Sequence, residues 1–194
     1  MGRIVASEVV TLDMVIEDPG GGGDFEHGGW VLGIDQGEDG RQIKLEEIFL
    51  AEALLMGRVT YEALVSYWPY ASDDLGFAER INTMPKYVVS STLEEPEWEN
   101  TTVLHGDVVP QTLMLRDQLE GDIVIPGSAE LVRTLFDEEL LDQLRMMLYP
   151  VFLGTGKQLF ACDADPKPVR LTRKDRVGDA ICYFVFEPRE VDAG

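Results

Sequence analysis

Short apolar runs, each closed by glycine, proline or small polar residues, alternate along the chain with stretches of helical spacing. Arg3 to Val10 is β-branched and bounded by polar residues, and predicts a first strand. The segment Glu17-Asp18-Pro19-Gly20-Gly21-Gly22-Gly23 holds neither helix nor strand, because glycine is entropically costly there and proline lacks a donor. It predicts a loop, either a mobile lid or a passive surface crossing. Leu45, Ile48, Phe49 and Ala53 fall at helical spacing and predict a helix over Leu45–Ala53, with Glu46 and Glu47 near its start, where the helix dipole favours anions. That helix runs into a short apolar strand, Ala53–Met56, then Gly57-Arg58-Val59-Thr60, and a second helix over Tyr61–Trp68.

The same grammar recurs twice. Lys86–Val89 leads into Ser90-Ser91-Thr92, and Asp122–Ile125 leads into Pro126-Gly127-Ser128 and a helix over Glu130–Phe136. A further strand, Thr101–Leu104, and a helix, Gln111–Leu119, lie between them. Strands alternating with helices predict an α/β fold with a mostly parallel central sheet flanked by helices. The end of the chain changes character: Gln143–Phe152 is a long apolar run, and Val169–Val177 and Ile181–Glu187 flank Gly178-Asp179, a dipeptide suited to a tight turn. A C-terminal antiparallel hairpin should therefore close the sheet. No linker, repeat or low-complexity tract interrupts residues 1–194, so one domain is expected; Asp163–Pro168 reads as a polar turn.

Charge changes the picture of partners. The net charge is −20 with a sequence pI near 4.3, and Glu8 through Asp39 contains no lysine or arginine. Binding phosphate polymers or anionic membranes needs clustered cations, so nucleic acid and membrane are excluded as partners. No apolar run reaches the ~20 residues of a membrane span and no signal core opens the chain, so a cytoplasmic protein is expected. The acidity fits a high-salt cytoplasm or an ordinary acidic protein kept soluble by self-repulsion. Either way, mobile cations should screen the carboxylates within a Debye length of about 10 Å at 0.1 M salt. The expected result is a thermal midpoint that rises from low to molar KCl; a flat or falling midpoint would mean the acids are already neutralised by pairing or too dispersed to repel. Cys162 and Cys182 are too few for a disulfide scaffold or zinc cluster and read as buried thiols, although neighbouring strands would let them face each other.

Glycine turns from strand to helix are natural phosphate seats, because helix N-termini present unpaired N–H groups and a positive dipole end. At Gly57-Arg58-Val59-Thr60 glycine permits close approach, Arg58 can clamp phosphate, and Thr60 can cap the helix or donate. At Pro126-Gly127-Ser128-Ala129, Gly127 and Ser128 can present backbone donors. Either turn alone is better explained by ordinary helix capping.

Taken in order and with their flanks, these segments make the chain resemble the dihydrofolate-reductase-like superfamily, in its riboflavin-biosynthesis reductase branch (RibD C-terminal-like). Ala53–Glu62 is similar to the family's strand, Gly-Arg turn and helix, and Trp68-Pro69 to the helix end. Val88–Leu93 is similar to the strand end beside the adenosine ribose, Ile123–Ser128 with Leu131 and Leu135 to the second phosphate turn, and Tyr149–Gly156 to a late strand and glycine turn. The resemblance implies an NADPH-dependent reductase, NADH being the alternative cofactor, that delivers hydride to a heteroaromatic or conjugated ring of pterin, pyrimidine or flavin type. It implies Gly57, Arg58, Val59 and Thr60 at one phosphate turn, with Arg58, Ser90 and Ser91 near the 2′-phosphate. Gly127, Ser128, Ala129, Glu130 and Leu131 would hold the pyrophosphate, and Val10, Thr11 and Ile16 would lie near the nicotinamide, beside the post-strand turn Thr11-Leu12-Asp13 and the Gly-rich lid. Asp13, Trp30 and Tyr149 are the candidate substrate residues, and a homodimer is the assembly considered. No catalytic residue is assigned.

The chain also departs from the pattern. Relatives carry a Ser-Leu-Asp-Gly turn preceded by a lysine, whereas Thr11-Leu12-Asp13-Met14 stands here and no lysine precedes Lys44; this counts against a phosphoribosyl substrate. No helix carboxylate aligns as a proton source, and Glu46, Glu47 and Glu52 read equally well as a solvated helix face. Ser91 stands where many relatives have arginine, so preference for NADPH rests on Arg58. Gly154-Thr155-Gly156-Lys157 fails as a phosphate-binding loop because Gln158 follows the lysine, His27 and His105 are too few for a metal site or a nucleophilic triad, and Trp68 suits core packing. A non-catalytic nucleotide- or flavin-binding regulatory domain on the same fold is the alternative function.

Overall fold

A computed structural model describes residues 1–160 and 166–189. Eight strands form one sheet, with helices packed on both faces: β1 (Arg3–Val10), α1 (Gly37–Leu50), β2 (Ala51–Gly57), α2 (Arg58–Val65), α3 (Phe77–Thr83), β3 (Lys86–Val89), β4 (Thr101–Leu104), α4 (Val108–Gln118), β5 (Asp122–Pro126), α5 (Ala129–Asp137), β6 (Gln143–Leu148), β7 (Val169–Val177) and β8 (Ile181–Pro188). The order is β4-β3-β2-β5-β1-β6-β8-β7. The first six strands run parallel, and β8 and β7 pair antiparallel to β6 and to each other. Parallel neighbours need long crossovers, which places helices on both faces and leaves the central strands buried on each side. On β1, Ile4, Ala6 and Val10 pack towards the face covered by α4 and α5, while Val5 joins Ile48, Tyr61 and Ile81 beneath α1, α2 and α3. The exposed edge strand β7 carries Arg170, Arg173, Lys174 and Arg176, charges that discourage edge-to-edge pairing. The hairpin turn sits at Gly178, where φ is +54° and a Cβ would come within 2.9 Å of the Asp35 carbonyl oxygen, so glycine is required there by both conformation and space.

Several boundaries differ from expectation. α1 begins at Gly37 rather than Leu45, because its first half is Glu38, Asp39, Arg41, Gln42 and Lys44 and shows no apolar stripe. Glu46 and Glu47 consequently lie in its C-terminal half, where the dipole does not favour them. Glu52 is on β2 and accepts N–H bonds from Glu120 and Gly121 at 2.8 and 2.5 Å, so it is not part of a helix face. α2 ends at Val65, and Trp68 opens a separate 3-10 turn, Trp68–Tyr70. α3 went unpredicted; its start is marked by Asp73, whose carboxylate accepts from the N–H groups of Leu75, Phe77 and Ala78. α4 begins at Val108, capped by Asp107. β6 stops before Pro150, which cannot donate to a ladder. Cys182 is half-buried on β8; Cys162 and residues 163–165 of the expected polar turn lie outside the described residues.

Candidate cofactor and substrate site

The carboxyl ends of the parallel strands bring together Thr11 after β1, Gly57 at the end of β2, Ser90 after β3, Gly127 after β5 and Tyr149 after β6. In open α/β sheets this is the edge at which ligands bind. The two glycine turns are tied to each other. The Gly57 N–H donates to Ser128 Oγ at 2.9 Å, Ser128 Oγ lies 2.7 Å from Thr60 Oγ1, and a Cβ built on Gly127 would be 3.6 Å from the same threonine oxygen. Gly127 and Ser128 are both left-handed, at φ +84° and +79°, a conformation uncommon for serine and held here by its two hydroxyl contacts. Thr60 and Ser128 therefore clasp the turns and cap neither helix. The N-termini of α2 and α5 carry no side-chain cap, which leaves their first-turn N–H groups for an anion.

The other expected cofactor residues divide by what they can offer. Arg58 is half-exposed and pairs with Glu62 at 2.8 Å, one turn along its own helix. Val59 is exposed beside it. Ser90 Oγ accepts from the N–H groups of Thr92 and Leu93, forming its own turn, while Ser91 is exposed. Ala129 and Leu131 are buried, so only their backbone faces the edge. The Glu130 carboxylate turns to Lys157 at 2.8 Å, and that hydrogen bond and charge hold its pKa below the ordinary value. Val10 and Thr11 are fully buried and Ile16 is half-buried.

Asp13 is a cross-link. It accepts from Thr11 Oγ1 at 2.5 Å and from the Gly154 N–H at 2.7 Å, joining the turn after β1 to the late glycine turn. Desolvation is the largest single influence and would raise its pKa, but these bonds and one from Leu153 together outweigh it, so its pKa lies below the usual carboxylate value. Met14 occupies φ +65°, a left-handed position that favours glycine and is uncommon for methionine. Trp30 and Tyr149 are 8% and 4% exposed and meet edge-to-face with centroids 5.7 Å apart; the Trp30 indole donates to the Glu17 carbonyl at 2.9 Å. With Ile43 and Met147 they fill the α1 face instead of lining an open pocket. Trp68 stacks on Phe77 within the core, as its position suggested.

Two buried groups went unnoticed in the sequence. Glu47 does not face solvent: it is 7% exposed and accepts from Ser7 at 2.7 Å, Lys44 at 2.9 Å and Tyr183 at 2.9 Å. Burial alone would raise its pKa, but Lys44, Ser7 and Arg145 outweigh that and hold it low, while burial and the Glu47 charge push the Tyr183 phenol up. The Lys44 ammonium also donates to Ser7 at 2.8 Å, so an amine reaches β1 from α1 although none is carried on the strand. Glu8, the second group, is 2% exposed in the middle of β1, and burial raises its pKa to about 8 against the opposing pull of Lys44 and the Gly127 N–H. The available signal was a carboxylate inside an otherwise β-branched central strand. Beyond Glu47, between α1 and the β6-β8-β7 portion of the sheet, an open cavity of about 210 Å³ is lined by residues including Arg145, Thr172, Arg173 and Tyr183.

The family described as the RibD C-terminal domain matches residues 3–183. The chain belongs to this family. It is 27% identical over 161 residues to the uncharacterized protein YyaP of Bacillus subtilis (strain 168), covering 81% of this chain and 80% of that one. Among solved structures, a putative riboflavin biosynthesis protein from Shewanella sp. PV-4 superposes with a TM-score of 0.74 at 18% identity, over 97% of this chain and 99% of that one. A dihydrofolate reductase from Enterococcus faecalis, complexed with NADP(H), gives 0.63 at 16% identity over 97% of each chain. The fold is thus dihydrofolate-reductase-like, with the mixed eight-stranded sheet and C-terminal antiparallel strands expected of it. Among the described residues no helix is long and apolar enough to cross a membrane, and no cluster of potential metal ligands occurs.

Proposed function

We propose that this chain is a reductase that uses NADPH to transfer hydride to a heteroaromatic or conjugated small molecule of pterin, pyrimidine or flavin type. The observation that carries this reading is the pair of uncapped helix N-termini clasped together by Gly57, Thr60 and Ser128 at the carboxyl edge of the sheet. They fit a pyrophosphate, since two sets of free N–H groups and two dipole ends converge where glycine lets backbone approach closely. Arg58 and the Ser90-Ser91 turn would take the 2′-phosphate, and Val10, Thr11 and Ile16 would border the nicotinamide. When bound, the nicotinamide supplies the hydride; the chain supplies orientation and exclusion of water. The same reading treats residues 1–194 as one reductase domain, cytoplasmic, in a monomer or homodimer.

The packed Trp30–Tyr149 pair favours a second reading, a regulatory domain that binds a nucleotide or flavin without turnover, because these two candidate substrate side chains pack on each other and are buried. Titrating NADPH against tryptophan fluorescence, then screening oxidised pterins, flavins and pyrimidines, separates the two. Binding with NADPH oxidation by one of these compounds supports the reductase; binding with none supports the second reading.

Arg58→Ala should weaken NADPH far more than NADH. A charge-assisted contact to phosphate contributes about 1.5–3 kcal/mol, very roughly one to two decades of affinity. Releasing Arg58 from Glu62 costs little, since an exposed pair of this spacing is worth under about 1 kcal/mol. Equal loss for the two cofactors would remove Arg58 from the 2′-phosphate site.

A further inference from the structure

Glu8 is a buried acid that neither the fold nor the proposed chemistry uses. It lies on β1 opposite Met146 of β6, one residue past the Ser7–Pro126 pairing, which sets it level with Gly127. Alternation along the strand puts its side chain on the face of Ile4, Ala6 and Val10, which α4 and α5 cover. Its Oε1 has no hydrogen-bond partner among the described residues, and the polar group facing the carboxyl is the backbone N–H of Gly127. The unpartnered carboxyl therefore sits against the turn that opens the uncapped α5.

The charged groups of the surrounding elements are paired with others or stand away from Glu8. Lys44 of α1, the one cation that acts on Glu8, is held by Ser7 and Glu47. Arg145 of β6 is paired with Asp122 of β5, and Glu130 of α5 with Lys157 of the late loop. Arg133 of α5 donates to the Ala129 carbonyl, and Arg116 of α4, whose Nε has no partner among the described residues, stands at the opposite end of β1, where its carbonyl accepts from Gly2. Among the described residues no cation hydrogen-bonds the Glu8 Oε1.

Resting on the nucleotide-binding reading above, we infer that Glu8 is a positioning residue for the nucleotide pyrophosphate: its neutral carboxyl leaves the Gly127–Ser128 turn as an anion seat, and its ionised form closes that seat. Ionised, Glu8 draws the Gly127 N–H to itself and puts a negative charge behind the turn, where little water screens it. Neutral, it accepts from that N–H only as a weaker carbonyl acceptor and adds no charge. By linkage, an anion seated on the turn raises the proton affinity of Glu8, so binding takes up protons in the range where free Glu8 is partly ionised.

The test is isothermal titration of the wild-type chain and of Glu8→Gln with NADPH, and separately with ADP-ribose, from about pH 6.5 to about pH 9.5. In the wild type, affinity should fall by about tenfold or more across that range, and in Glu8→Gln by about twofold or less. Near pH 8, wild-type binding should take up protons, read as a dependence of the observed heat on the ionisation enthalpy of the buffer; this needs no variant. Parallel pH profiles in the two proteins, or no proton uptake, would overturn the role of Glu8 while leaving the nucleotide reading intact. Binding of ADP-ribose with the expected pH profile but none of NADPH would support Glu8 and overturn the reductase. Binding of neither at any pH would overturn both.

Discussion

Glu47→Ala should destabilise the fold by roughly 3–5 kcal/mol, the usual cost of removing one partner from a buried ionic network. The carboxylate is the common acceptor for Ser7, Lys44 and Tyr183. Its loss leaves an ammonium at 24% side-chain exposure and a buried phenol without their acceptor. Glu47→Gln keeps the shape and one acceptor oxygen, so its cost should be smaller. Glu47→Leu combined with Lys44→Met removes both charges and should recover much of the loss, because a packed apolar pair replaces an ion pair with little penalty. Urea unfolding at constant m-value measures all three. The neighbouring cavity, which Glu47 and Tyr183 help to line, supplies the competing outcome. If water entering from it satisfies Lys44 and Tyr183, Glu47→Ala will cost under about 1 kcal/mol, and the network is then a solvated cluster with no part in holding α1 on the sheet.

How far the sequence could be read follows from which residues carry period. β1, β3 and β4 match their expected spans to the residue because β-branched positions bounded by polar residues leave few alternatives, and β7 does so because Pro168 and Gly178 bound it. α1 was truncated because Glu38 to Lys44 has no apolar stripe, and α3, only Phe77–Thr83, is too short to show one. The two glycine turns were legible as a pair, yet the role of Ser128 was not: its hydroxyl reaches across to Gly57 and Thr60, 71 and 68 residues away, a contact that local spacing cannot encode. Glu47 looked solvated for the same reason. Its partners Ser7 and Tyr183 come from β1 and β8, which meet it only after the sheet closes. Trp30 is the converse case, since an aromatic in a Gly-rich loop suggests a pocket wall, and nothing nearby reveals that Tyr149 will bury it.

The stability of the wild-type chain should fall as pH rises from about 4.5 to about 8, and Glu8→Gln should remove that fall. The sign follows from proton counting. The folded-state pKa of Glu8 is raised from 4.5 to about 8 by burial, so between these values the unfolded chain has released the proton and the folded chain still holds it. Stability falls with pH wherever the unfolded state binds fewer protons, by about 1.4 kcal/mol per pH unit for one group. Over the full window the loss is on the order of 4–5 kcal/mol, a large share of the roughly 5–15 kcal/mol that holds a domain folded. Other groups titrate in the same range, which is why the informative quantity is the difference between the two proteins: glutamine cannot ionise and keeps the side-chain volume. The comparison stops near pH 8 because Lys86, whose pKa burial lowers to about 8, begins to lose its proton in the folded chain around that point. Chemical denaturation of both proteins at half-unit pH steps gives the two curves. Curves that stay parallel would show that Glu8 finds a partner or water in the folded protein and ionises there at little cost. Curves that diverge towards high pH would show that ionising buried Glu8 costs folding free energy, a cost that a nucleotide keeping Glu8 protonated should offset.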